Sequence, residues 1–274
     1  MKAQEKAQLD ELISSLDYNL VNAAIRSKAP KVFDLNDYEL IADMSLKAVE
    51  EWLFYDLQTL TITAIENKRS VQFENVSEPT SVICDIEAVN HKGLKLIIDW
   101  KSSSRDLDPL WEQRHRDSWQ WRTYLRATNS DICEFRGINT KLKTRTVPCN
   151  FVPGLNEKVD LQYRQVADMR TALIGTVPWP RHMPGSCFAF GRPCPYVNDC
   201  RKDTYPITPL FPKSISHSAM DTFLLCPERY RRDELIKIAG VSDDTEDAPD
   251  NYSRELGSAL HRSLAEIYRQ AFKL

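Results

Sequence analysis

The chain has 274 residues, 42% of them apolar and 27% charged, with a formal net charge of −3. This composition suits one elaborated globular domain, or a domain with a small appendage. It excludes a globally basic binder, so any contact with a polyanion has to come from local patches. The mixed-charge start, Met1–Pro30, has no continuous apolar core and does not read as a signal peptide. No run approaches the roughly 18 apolar residues that cross a bilayer. A cytoplasmic protein without a membrane partner is expected.

Residues 5–28 carry apolar side chains at helical spacing (Leu9, Leu12, Ile13, Leu16, Leu20, Val21, Ala24, Ile25), and Pro30 stops the run. Asp34 and Asp37 offer caps for a second helix through Leu46, Val49, Leu53 and Leu57 to about Glu66. The pattern then turns to short β-rich runs. Ser81–Val89 and Leu94–Trp100 read as strands joined by a hairpin turn at Asn90-His91-Lys92-Gly93. A polar, aromatic helix is expected over Pro109–Ala127, a strand over Ile132–Ile138, a basic strand or loop over Lys141–Val147, and a helix over 157–175. Pro178–Pro212 is too rich in proline for helix or central strand. Helical patterns return at 216–238 and 254–272 around the acidic linker Gly240–Asn251. The parts are an N-terminal helix (1–30), a core (31–178), a cysteine-rich loop (179–213) and a helical segment (214–274). Their order predicts a mixed α/β fold.

Each apolar run of the hairpin ends on an ionisable residue: Asp85 in one strand, Asp99 and Lys101 in the other. Asp99 and Lys101 are two apart, so a strand puts both on one face. If the runs pair, Asp85 and Asp99 meet at one end of the sheet, and Glu87 shares the Asp85 face. Two carboxylates beside an ammonium suit phosphodiester hydrolysis with Mg²⁺ or Mn²⁺. A lone D-x-K is common, and on its own reads as surface charge at the end of a hairpin. Gln120 and Tyr124 follow on one helical face, among Arg116, Trp119, Trp121, Arg122 and Arg126, a mixture able to stack on bases and pair with phosphates.

An Asp strand, a D-x-K strand and a Q-x-x-x-Y helix in this order resemble the PD-(D/E)xK nuclease superfamily, in particular its RecB/AddB-like branch. The resemblance implies a restriction-endonuclease-like core, a central mixed sheet flanked by helices, with Asp85, Asp99 and Lys101 as catalytic residues. It also implies that Gln120 and Tyr124 contact substrate and support the lysine.

Seven cysteines in a chain with no secretory signal point to metal or redox chemistry rather than a disulfide framework. Cys84, Cys133 and Cys149 lie in apolar runs and read as core. Cys187, Cys194 and Cys200 share one Pro/Gly-rich loop, and thiolates select zinc or iron–sulfur clusters. Cys226 is the best candidate for a fourth ligand. The run Ser216-His-Ser218…Cys226-Pro-Glu-Arg-Tyr230 resembles the S-x-S…C-P-x-x-[FY] segment that opens RecB/AddB-type nuclease domains. That implies a structural 4Fe–4S cluster on the four cysteines, with Zn²⁺ as the alternative. The first gap, six residues between Cys187 and Cys194, is longer than the commoner two. Gly257 and His261 resemble the family's G-x-x-x-H motif, which implies His261 as a third metal ligand beside Asp85 and Asp99.

In the relatives these last two motifs come first, whereas here they come last. The order fits a circularly permuted nuclease whose C-terminal helices pack back on the core; a truncated tandem domain is the rival account. The resemblance implies exonuclease action on single strands or DNA ends in recombination, repair or phage DNA processing. DNA is then the partner, with a helicase or recombination protein beside it. A catalytically silent iron–sulfur DNA-binding module is the alternative.

Overall fold

The computed structural model describes residues 3–26, 33–73, 76, 79–173, 215–231 and 250–274. Helices α1 (Ala3–Ser15) and α2 (Tyr18–Arg26) open the chain. α3 (Leu35–Ala48) runs through a π-turn (Val49–Leu53) into α4 (Phe54–Thr59). Asp34 and Asp37 form a reciprocal capping box at the start of α3, satisfying two orphan N–H groups.

The expected helix to Glu66 stops short. Leu60-Thr-Ile-Thr-Ala-Ile alternates with period two, and Leu60–Val71 is strand β1, which the helical reading missed. β2 (Thr80–Asn90) and β3 (Lys95–Ser103) form the expected hairpin, with the Asn90 side chain accepting the Lys92 and Leu94 N–H groups and Gly93 in the left-handed region. The expected Pro109–Ala127 helix is two: α5 (Pro109–Asp117) and α6 (Trp119–Thr128), broken at Ser118, whose extended backbone restarts the turn. β4 (Ile132–Asn139), β5 (Thr144–Asn150) and α7 (Leu155–Ala172) follow. Then come β6 (Ile215–Ser216), α8 (His217–Leu225), α9 (Pro227–Tyr230) and α10 (Asp250–Phe272).

The main path of the sheet is β1-β2-β3-β4-β5, antiparallel along it except for the parallel pair β3–β4, whose crossover is α5 and α6, and β6 joins β2 in parallel. Two cores flank it. Trp111, Trp121, Leu125, Phe135, Tyr163, Met220 and Phe223 build the first, beneath α5–α8. Ile41, Leu53, Ile98, Trp100, Leu260, Leu264 and Tyr268 build the second, beneath α2–α4 and α10. The result is a mixed α/β fold with helices on both faces. Cys84, Cys133 and Cys149 are buried free thiols, as their apolar runs imply. No helix among the described residues is long and apolar enough to cross a membrane.

β2 serves both cores. Val82 and Cys84 pack into the first, Ile86 and Ala88 into the second, so its alternation switches face at Asp85. Across from Asp85, between the pairs Ile65–Ile86 and Asn67–Cys84, β1 places Glu66 at φ 50, a left-handed kink rare for a residue with a side chain.

Candidate active site

β2 and β3 pair over Ile86–Val89 against Lys95–Ile98 and then part. In the opening, Asp85 Oδ2 accepts the Trp100 N–H at 2.7 Å, replacing a ladder bond. β1 holds one edge of β2 throughout, so β6, parallel to β2 at Thr80 and Ser81, takes the edge that β3 has left. The Ser216 side chain caps α8, accepting the Ala219 N–H at 3.0 Å.

Asp99 is 2% exposed, and its Oδ2 meets the Lys101 ammonium on the same strand face. From α6, Gln120 Nε2 donates to Asp99 Oδ1 at 3.0 Å and lies 2.8 Å from the Tyr124 hydroxyl. From α10, His261 Nδ1 stands 3.3 Å from Asp85 Oδ2. Its approach depends on Gly257, one turn earlier: a Cβ there would sit 2.7 Å from Ser102 Oγ of β3. The structure thus brings Asp85, Asp99, Lys101, Gln120, Tyr124 and His261 together. Cys187, Cys194 and Cys200 lie outside the described residues. Cys226 is a half-buried free thiol ending α8, its N–H donating to Thr222 O at 2.9 Å.

Charge at the site is mutually compensated. Burial works against the Asp85 carboxylate, but His261, Lys101 and the Trp100 N–H outweigh it and hold the carboxyl below its ordinary value. For Asp99 burial wins, aided by Asp85, and its carboxyl is raised despite Lys101. Burial opposes both cations, yet the Lys101 ammonium and the His261 imidazolium are each raised by the two carboxylates. Burial and the same carboxylates push the Tyr124 phenol well above its usual range, so it stays a neutral hydroxyl.

Glu87, weighed as a further ligand, is engaged elsewhere. Arg69 grips it in bidentate fashion at 2.8 and 2.5 Å, and Asn67 donates to it at 2.9 Å. Both partners come from β1, the strand the sequence reading missed. His115 was also missed. It stands 4.1 Å from the Trp111 ring and 4.9 Å from Phe135, over which Lys101 Nζ sits at 5.5 Å. Burial, with Lys101 nearby, pushes its imidazole down to about 4, so it is neutral. Its i, i+4 spacing from Trp111 was the available signal.

Among the described residues no three His, Cys, Asp or Glu side chains are gathered as a group that could hold a metal ion. The two carboxylates are nevertheless donor types that suit Mg²⁺ or Mn²⁺, whereas an imidazole is a donor that softer divalent metals favour. Asp99 Oδ2, buried and engaged by the Lys101 ammonium, is the oxygen a cation would share with that lysine.

No protein-family model and no curated protein matches the chain. Among solved structures, the crystal structure of SSO0001 aligns with a TM-score of 0.32 at 16% identity, covering 61% of this chain and 84% of that one. The chemistry of the site rests on its own residues.

Proposed function

We propose that the chain is a divalent-metal-dependent nuclease that hydrolyses DNA phosphodiester bonds, of the PD-(D/E)xK superfamily and its RecB/AddB-like branch. One observation carries the reading: six residues from four separate parts of the chain converge where β2 and β3 part. Asp85 and Asp99 would hold Mg²⁺ or Mn²⁺, with His261 as the third ligand. Such a cation, when bound, neutralises phosphate charge and activates water. Lys101, its ammonium favoured by the two carboxylates, would donate to the attacking water or the phosphate. Gln120 orients Asp99, and Tyr124 orients Gln120.

A restriction-endonuclease-like core with permuted motif order is part of this reading. It is supported by β6 pairing with β2 and by α10 packing beside β3, both from the C-terminal segment. A 4Fe–4S cluster on Cys187, Cys194, Cys200 and Cys226 belongs to the same reading, as do exonuclease action on single strands or ends, a cytoplasmic setting and a helicase or recombination partner. Cleavage of end-labelled single- and double-stranded DNA by anaerobically purified protein with Mg²⁺ or Mn²⁺ tests it. Lys101→Ala should lower the rate by about 10²-fold or more, the scale for losing one charge-stabilising donor. Equal cleavage by both proteins removes the assigned site.

The compensated charges favour a second reading, a catalytically silent DNA-binding module, because each carboxylate already faces a cation. It predicts DNA binding without Mn²⁺-dependent cleavage and no effect of Lys101→Ala.

A further inference from the structure

The β4–β5 turn carries Lys141, Leu142 and Lys143 on a rigid frame. Asn139 is 1% exposed, and its Oδ1 accepts the N–H groups of Lys141 at 3.0 Å and Lys143 at 2.9 Å. Its own N–H donates to Lys143 O at 3.0 Å, and its O accepts from Leu142 at 2.9 Å. At the tip, Leu142 is exposed and adopts φ 58, a conformation that favours glycine. An apolar side chain is thus held out to solvent between two lysines.

Around the turn, cations outnumber the acids that serve them. Asp106 is shared by Lys141 at 3.3 Å and Lys143 at 3.6 Å. Glu112 is shared by Arg116 at 2.8 Å and Arg145 at 3.5 Å. Two carboxylates serve four cations, a local surplus of positive charge on a chain whose net charge is −3. The turn also adjoins the candidate site: Thr140 N–H donates to Ser103 O at 3.0 Å, two residues beyond Lys101 on β3.

We propose that this hairpin tip is a contact for single-stranded DNA flanking the bond to be cut. Lys141 and Lys143 take backbone phosphates, and Leu142 packs against an unstacked base. The inference rests on the nuclease reading for the nature of the polyanion. An apolar tip flanked by cations fits a single strand, whose bases present open faces, better than a smooth duplex.

The test is fluorescence anisotropy of the full chain with a labelled oligothymidylate, without added divalent cation, over a range of salt concentrations. Each phosphate contact on a single strand contributes about 0.7 to the slope of log K against log salt, so Lys141→Gln/Lys143→Gln should lower that slope by about 1.4. Both lysines are more than half exposed, so the thermal melt should not change. Leu142→Gly, which suits the backbone there, should weaken binding several-fold with the slope unchanged. An unaltered slope in the double variant overturns the hairpin contact. If that variant keeps its slope while the unsubstituted chain cleaves DNA, only this inference falls. If the unsubstituted chain neither binds nor cleaves DNA, both readings fall.

Discussion

The Asp85 carboxylate accepts the Trp100 N–H at 2.7 Å at the point where β2 and β3 separate, and the same oxygen faces His261. One atom therefore closes the backbone ladder and balances a cation. Asp85→Asn retains an acceptor for Trp100 but loses the charge, so it should melt near the unsubstituted protein while DNA cleavage is abolished. Asp85→Ala loses both, and should cost a further 1–2 kcal/mol, roughly the cost of an unpaired buried N–H. Thermal melts of the two variants decide; identical melts would show that the carboxylate does not stand in for the ladder.

Gly257 gives a prediction whose sign runs against helix propensity. In an open helix, Gly→Ala stabilises by about 1 kcal/mol. Here the added Cβ meets Ser102 Oγ at 2.7 Å, so Gly257→Ala should destabilise and push His261 away from Asp85. Ser102→Ala removes the obstructing oxygen and leaves an ordinary 3.9 Å contact. The double variant should recover both the melt and the cleavage rate.

Asp56, Arg136 and Tyr268 form a buried network joining α4, β4 and α10. Arg136 grips Asp56 at 2.5 and 2.9 Å, and the Tyr268 hydroxyl donates to Asp56 at 2.5 Å. Asp56 is 0% and Arg136 4% exposed. Asp56→Ala strands the guanidinium with Glu134 as its remaining ion-pair partner, and should cost about 3–5 kcal/mol in urea denaturation. A loss under 1 kcal/mol would mean that water reaches the site.

Asp221 on α8 supplies a pH dependence. Burial pushes its carboxyl from an ordinary 3.8 up to about 6, with Arg122 and the Trp119 N–H pulling the other way. The native chain therefore holds this proton more tightly than the unfolded chain. That contribution is complete below about pH 4 and is lost as pH rises through about 6. Asp221→Asn should flatten this part of the profile, so the variant gains stability relative to the unsubstituted chain between pH 4 and 7. Parallel melting curves across that range would refute the assignment.

The hairpin and its acidic ends were legible because apolar alternation and the Asn90–Gly93 turn are local signals. The i, i+4 spacing likewise placed Gln120 and Tyr124 on one face, and the structure joins them at 2.8 Å. What local pattern could not give is partnership across the chain. With the helix read on to about Glu66 and no strand read after it, Arg69 and Asn67 were invisible as partners, and Glu87 looked free to bind a cation. Ser118, extended at ψ 151, broke one expected helix into two, and nothing in the helical spacing on either side of it announces the break. The two-residue strand β6 carries too little sequence to announce itself.

Helix α10 buries Leu256, Leu260, Leu264 and Tyr268 in the second core while turning His261 toward Asp85. The rotational phase of the imidazole is thus inherited from an apolar stripe and needs little guidance of its own. Inserting one residue between Gly257 and His261 would rotate everything beyond it by about 100°. It would eject the tyrosine anchor at the same stroke, so evolution can retune this histidine only by exchange in place, never by sliding it along the helix.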